Sequence, residues 1–246
     1  MNTTKAGPGA TNRKTAIVTG VLFIIATIAG PVLAGTLTPA MTGTDYLARF
    51  SASTNQVAGA ALLYLIAAFA CAGIAISLYP VLKAWSAGLA LGSVVFRTLE
   101  AAFYMIEIVC LLSLLTLGQQ FAAAGAADGT LLQAIGDLLV GVREYAGLVG
   151  VFAFCLGACM YYTLFFRSRL IPRWLSGWGI VAIILMTTAC VLALFSGNLI
   201  TSYIPLAAPL ALQEMVLGVW LIVKGFNSST VAAPSAKTTS ELLGAA

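Results

Sequence analysis

The chain has 246 residues, of which 61% are hydrophobic and 8% charged, with a formal net charge of +4 and a mean hydropathy of +1.01. Soluble domains carry about a quarter charged residues, so this composition excludes one and places the chain in lipid. The small basic excess forms no long block and no aromatic interleaving, which excludes nucleic-acid binding, and the absence of His removes His-dependent triads, imidazole zinc sites and the commonest haem ligation.

Residues 1–14 are small, polar and basic and read as a disordered cytoplasmic tail. A first span is expected at about 15–35. Its basic start and Val32 to Ala34 end resemble a secretory signal, but its apolar core is nearer about 20 residues than the roughly 7–15 of such signals, so a retained span is predicted. Gly30-Pro31 predicts a bend near its end. Residues 36–56 are polar, with Asp45 and Arg49 on a short surface helix. Span two follows at 57–78 and is expected to stop at Tyr79-Pro80, and span three covers 88–117, where Gly88 and Gly92 form a GxxxG pattern that permits close helix approach. The longest interruption is 118–144: a small, flexible front, then helical spacing of Leu131, Leu132, Ile135, Leu138 and Leu139, an amphipathic helix leading into span four at 145–166. A short connection carries Arg167, Arg169 and Arg173 before span five at 174–195. Span six, 203–223, has Pro205 and Pro209 in its first turns, as a helix start tolerates, and Gln213-Glu214 near its centre. From 227 onward the composition is that of a second disordered cytoplasmic tail.

Placing the N-terminus inside puts Lys5, Arg13, Lys14, Lys83, Arg167, Arg169, Arg173, Lys224 and Lys237 on the cytoplasmic side and leaves Arg49 and Arg143 outside. Trp85, Trp174, Trp178 and Trp220 then all fall at the cytoplasmic interface, where amphipathic rings prefer to lie. The expectation is an all-α bundle of six transmembrane helices over residues 15–226, multi-pass in the bacterial inner (cytoplasmic) membrane, with both termini cytoplasmic.

The third span is the unusual one. At about 100° per residue, Ser93, Arg97, Glu100, Tyr104, Glu107 and Leu111 fall within an arc of roughly 80°. Charges in lipid are costly unless they face a protein interior or a wet cavity and find a partner. Arg97 and Glu100, three apart, can pair within the helix. Glu214 lies about eleven residues, or roughly 16 Å of rise, into span six, near the midplane. Glu100, Glu107 and Glu214 thus face one Arg of comparable depth, so a carboxylate is left poorly compensated. Desolvation favours its protonated form, which is the basis for a proton- or cation-coupled role. The binding or relay candidates are Arg97, Glu100, Tyr104, Glu107, Gln213 and Glu214, with headgroup level as the alternative for Glu107. Arg167, Arg169 and Arg173 are assigned to topology and anionic headgroups. Arg143 and Glu144 read as capping the outer end of span four, and Tyr145, Tyr161 and Tyr162 as belt or packing residues. All five Cys lie in apolar runs and read as packing; Cys155 and Cys159 share a helix face that would suit a soft metal, but neither metal nor cofactor is expected.

Phe96-Arg97 with Glu100-Ala101, the stretch LFFRSRLIPRWL from Leu164, and Gln213-Glu214 followed by WLIVKGF from Trp220 resemble the bacterial integral-membrane proteins grouped as domain of unknown function 4386. The resemblance covers about residues 15–226, and Ser168-x-x-Ile171-Pro172-Arg173 is its most distinctive piece. It implies six membrane spans and no established activity. Members of that group often carry His near the start of span four, where this chain reads Arg143-Glu144-Tyr145, which argues against a role needing imidazole.

Three functional classes follow. The first is a small transporter or proton/ion-coupled protein with a buried Arg/Glu site, whose partners are the lipid bilayer and a small solute, proton or cation. The second is a structural, regulatory or partner-binding membrane protein in which the same charges hold helices together. The third, an intramembrane lipid-modifying enzyme, ranks lowest because no nucleophile–base pair is identifiable.

Overall fold

The computed structural model describes residues 8–123 and 129–227, with side chains from residue 12. The protein is an all-α polytopic membrane bundle. The helices are α1 (Pro8–Thr27), α2 (Gly35–Leu37), α3 (Tyr46–Ala52), α4 (Thr54–Leu82), α5 (Ala87–Ala123), α6 (Gly129–Ser168), α7 (Arg173–Ser196) and α8 (Ile204–Val223). A π-helical segment, Ile28–Ala34, joins α1 to α2, and a 3₁₀ turn, Ile200–Tyr203, precedes α8. Among the described residues six helical stretches are long and apolar enough to cross a membrane. Large apolar side chains such as Phe69, Leu138 and Phe195 stand exposed on the outside, as a lipid-facing surface requires.

The spanning helices form a closed ring: α1 packs on α4, α4 on α5, α5 on α6, α6 on α7, α7 on α8, and α8 returns to α1. The ring closes where Gly20 meets Gly218. A Cβ on Gly20 would lie 2.5 Å from the Gly218 carbonyl oxygen, so the two backbones touch. The expected GxxxG face is not such a contact, because Gly88 has open space around it and Gly92 meets only the flexible Met160 thioether. On α6, Gly136, Gly150 and Gly157 share one face with Arg143 at seven-residue intervals; Gly150 and Gly157 let α5 approach closely and Gly136 admits α3.

Several boundaries differ from the sequence expectation, each for a local reason. α1 begins at Pro8, so residues 8–14 of the expected tail are helical. Pro suits a first helical turn, and Arg13 is anchored: its guanidinium donates to the Leu221, Ile222 and Val223 carbonyls at 3.3, 2.7 and 3.3 Å, capping the end of α8. The rest of that tail (1–7) and the C-terminal one from 228 lie outside the described residues. At Gly30-Pro31 the helix widens into a π segment, the adjustment a proline without N–H invites. α4 runs through Pro80 to Leu82, because a proline so near the end disturbs little and the Lys83 N–H still reaches the Tyr79 carbonyl at 2.9 Å. The amphipathic segment before span four is continuous with it in α6, 40 residues long, and α5 runs 37 residues. Helices of that length rise roughly 55–60 Å, well beyond a hydrocarbon core of about 30 Å. Of the interruption between them, residues 124–128 lie outside the described residues.

The projecting ends of α5 and α6 hold the surface helix α3, which the sequence placed. Gly118 of α5 admits the Leu47 backbone, Gly136 of α6 admits the Tyr46 ring, and the Tyr46 hydroxyl donates to Asp137 Oδ1 at 2.9 Å. Burial, with the Asp137 carboxylate as acceptor, pushes the Tyr46 hydroxyl well above its usual range, so it stays a donor.

Candidate functional site

The stripe on α5 faces the bundle interior. Ser93, Arg97, Glu100 and Leu111 are buried, and Tyr104 and Glu107 are half-buried. Arg97, 1% exposed, is the largest fully buried side chain. Its Nη1 sits 2.8 Å from Glu100 Oε2, its Nε donates to the Cys71 carbonyl of α4 at 3.4 Å, and its guanidinium lies 4.7 Å from the centre of the Phe154 ring of α6. α6 comes this close because Gly157 has no side chain: a Cβ there would be 3.1 Å from Arg97 Cγ.

Span six brings the second carboxylate. Glu214 Oε2 accepts a hydrogen bond from Thr27 Oγ1 of α1 at 3.1 Å, just before the π segment, and Glu214 lies within electrostatic reach of both Arg97 and Glu100. Arg97 thus pairs directly with Glu100, while Glu214, from another helix, lies within electrostatic reach of the guanidinium but forms no ion pair with it; the three charges sum to −1 if all ionise. A proton or a cation restores neutrality, and the low-dielectric surroundings make neutrality valuable. Next to this group, the fully buried Tyr161 hydroxyl, beside that of Tyr162, has no partner in hydrogen-bonding geometry.

Glu107 belongs to a separate pair. Arg143 of α6 is buried, not a cap at the outer interface: its Nη2 lies 3.7 Å from Glu107 Oε2 and donates to the Tyr64 hydroxyl of α4 at 3.2 Å. Gly147 leaves room for the Glu107 carboxylate, which a Cβ there would approach to 3.3 Å. Among the described residues the interior ion pairs are thus Arg97–Glu100 and Arg143–Glu107; Glu214 has no ion pair of its own, and the half-buried Glu144 lies within electrostatic reach of Arg143. Tyr104 stands between the two groups, one helical turn from each acid, its ring 6.0 Å from Tyr64 and its hydroxyl near Gly30 of the π segment.

Gln213 does not join the site. It is fully buried and satisfied, accepting from the Tyr162 hydroxyl and donating through Nε2 to the Leu175 carbonyl at 3.1 Å, which ties α8 to α6 and α7. Arg169 and Arg173 line a cleft at the same end of the bundle as Lys224, whereas Arg167 is exposed outside it. Cys155 is buried against Cys190 of α7, while Cys159 is exposed, so the expected shared face is not a ligand pair. No group of three or more metal-ligating side chains occurs among the described residues.

Thr27 and Phe154 carry no charge and no motif, so nothing in the sequence marks them, and Cys71 and Tyr161 read there only as packing residues. Arg143 was findable, since it shares the seven-residue repeat of the α6 glycines. Glu107→Gln is expected to lower stability by about 2 kcal/mol and Arg143→Gln by about 1 kcal/mol, because the first strands a buried guanidinium that cannot shed its charge, whereas the carboxylate left by the second is half-buried and can take up a proton. Thermal unfolding in detergent checks the order; equal losses would contradict it.

A family model described as "Domain of unknown function (DUF4386)" matches residues 18–225. Neither a curated protein nor a solved structure matches the chain.

Proposed function

We propose, from the premise that this chain belongs to the domain of unknown function 4386 family of membrane proteins, that it is a small proton- or cation-coupled membrane protein built around Arg97, Glu100 and Glu214. The observation that carries this reading is a fully buried Arg97–Glu100 pair with a second carboxylate, Glu214, within its electrostatic reach, held by Thr27 and without an ion pair of its own. In this scheme Glu100 remains the standing partner of Arg97. Glu214 takes up a proton or cation when its surroundings open and releases it when Arg97 turns toward it. Tyr104 and the Glu107–Arg143 pair extend the polar track along α5. The Lys/Arg asymmetry supports an inner-membrane orientation with both termini cytoplasmic.

Glu214→Gln tests it, since Gln keeps the size and can still accept from Thr27. The purified chain in liposomes enclosing a pH-sensitive dye should show proton-linked flux, and the variant should lose about tenfold or more of it, as expected when a titrating group is removed, with an unfolding midpoint close to that of the wild type. Equal flux in both proteins would sink the reading. The compact geometry of Arg97 against Glu100, Phe154 and the Cys71 carbonyl favours a second reading, in which the charges fix helix packing. Wild type without flux and a destabilised Glu214→Gln would select it.

A further inference from the structure

The cleft lined by Arg169, Arg173, Trp220 and Lys224 has a volume of about 580 Å³ and lies at the end of the bundle where α6 hands over to α7 and α8 terminates. Its cations come from segments far apart in sequence. None of them forms an ion pair, and none of their side chains makes a hydrogen bond, among the described residues. Arg173 is held over the Phe166 ring at 5.4 Å and opens α7, whose first N–H groups and helix dipole favour an anion. The wall is fixed by the Asn227 N–H, which donates to the Leu170 carbonyl at 2.9 Å.

The backbone at Arg169 points the same way. Its φ is 55°, and it is the non-glycine residue in the left-handed region among the described residues. The position after a helix end ordinarily takes Gly or Asn because a side chain there is strained. Here the strained residue is an Arg turned to the cleft. Trp220, edge-on to Trp174 at 6.2 Å and 88°, sets the cleft at the level of the lipid headgroups.

We infer that this cleft is a binding site for a phosphate-bearing anion, held by Arg169, Arg173 and Lys224. A phosphodiester headgroup and a free phosphate share this chemistry, non-bridging phosphate oxygens matched to guanidinium forks. The site is independent of the Arg97 group and stands whether or not that group moves protons.

Native mass spectrometry of the purified full chain tests it, with dioleoylphosphatidylglycerol and dioleoylphosphatidylcholine as probes. Wild type should retain phosphatidylglycerol about tenfold more tightly than phosphatidylcholine, and R169N/K224Q should lose most of that preference, as removal of two headgroup-level cations predicts. Asn suits the left-handed backbone at 169, and Lys224 lies exposed past the end of α8, so the fold is kept. Should the pair nevertheless fail to fold, Lys224→Gln alone must weaken retention. Arg167→Gln, which removes an exposed charge from the same turn outside the cleft, should change nothing. Displacement by millimolar inorganic phosphate would identify a soluble phosphate as the occupant, and resistance to it a headgroup; either supports the site. Equal retention of the two lipids, or an effect of Arg167→Gln as large as that of R169N/K224Q, would overturn it.

Discussion

Arg97→Met should lower the unfolding free energy of the bundle by about 3 kcal/mol or more, the scale set when one partner of a buried ion pair is removed. The loss comes less from the missing contact than from what stays behind. Glu100 is 6% exposed and would face Glu214 with no cation between them. The Cys71 carbonyl and the Phe154 face would lose their shared cation as well. Adding Glu100→Gln in the same chain should recover much of the stability, because a neutral amide no longer needs the guanidinium. Thermal or denaturant unfolding in detergent gives both values. A stable Arg97→Met, or a double variant no better than the single, would show that the pair does not hold the interior.

Gly20→Leu should destabilise by about 2–4 kcal/mol, since overpacking a contact with no room costs about 1–3 kcal/mol and here the obstacle is backbone. The Cβ would stand 2.5 Å from the Gly218 carbonyl oxygen and 2.8 Å from Ile222 Cγ1, while Gly218 in turn lies against Gly20 and Ile24. α1 and α8 can respond only by moving apart. That motion would pull Thr27 from Glu214 and weaken the Arg13 cap on the last carbonyls of α8. A milder Gly20→Ala should lie between. The same unfolding measurement decides, and Gly20→Leu with an unchanged midpoint would mean the crossing is looser than its geometry.

What could be read beforehand follows from which signals are periodic. The six spans, the surface helix at Tyr46 and the α5 stripe all arise from hydropathy or a helical repeat, and the structure has them. Contacts between helices distant in the chain leave no such mark. Gly20 against Gly218 involves two ordinary glycines among 24, whereas the GxxxG pattern at Gly88 makes no backbone contact of that kind. Gln213 sits next to Glu214 and looked like its companion, but neighbours on a helix point about 100° apart, and Gln213 turns to Tyr162 and Leu175. Arg143 precedes the apolar stretch that starts at Tyr145 and so reads as an outside charge, but α6 is longer than its apolar core, and its face carries the guanidinium inward to Glu107. Thr27 has meaning only once Pro31 and the ring closure have placed it.

Closure of the ring by the last helix also fixes an order of assembly. Chains enter the membrane from the N-terminus as they are synthesised, so α1 can pack on α4 early while its α8-facing side waits for a segment more than 200 positions downstream, as the separation of 208 between Arg13 and Leu221 shows. Arg97 and Glu100 need no such wait: three residues apart on one helix, they can neutralise each other as soon as α5 leaves the insertion machinery. Glu214 arrives last, into a half-built interior that already contains its cation. A nascent chain halted before α8 would therefore leave Gly20, Thr27 and one flank of Arg97 open to lipid.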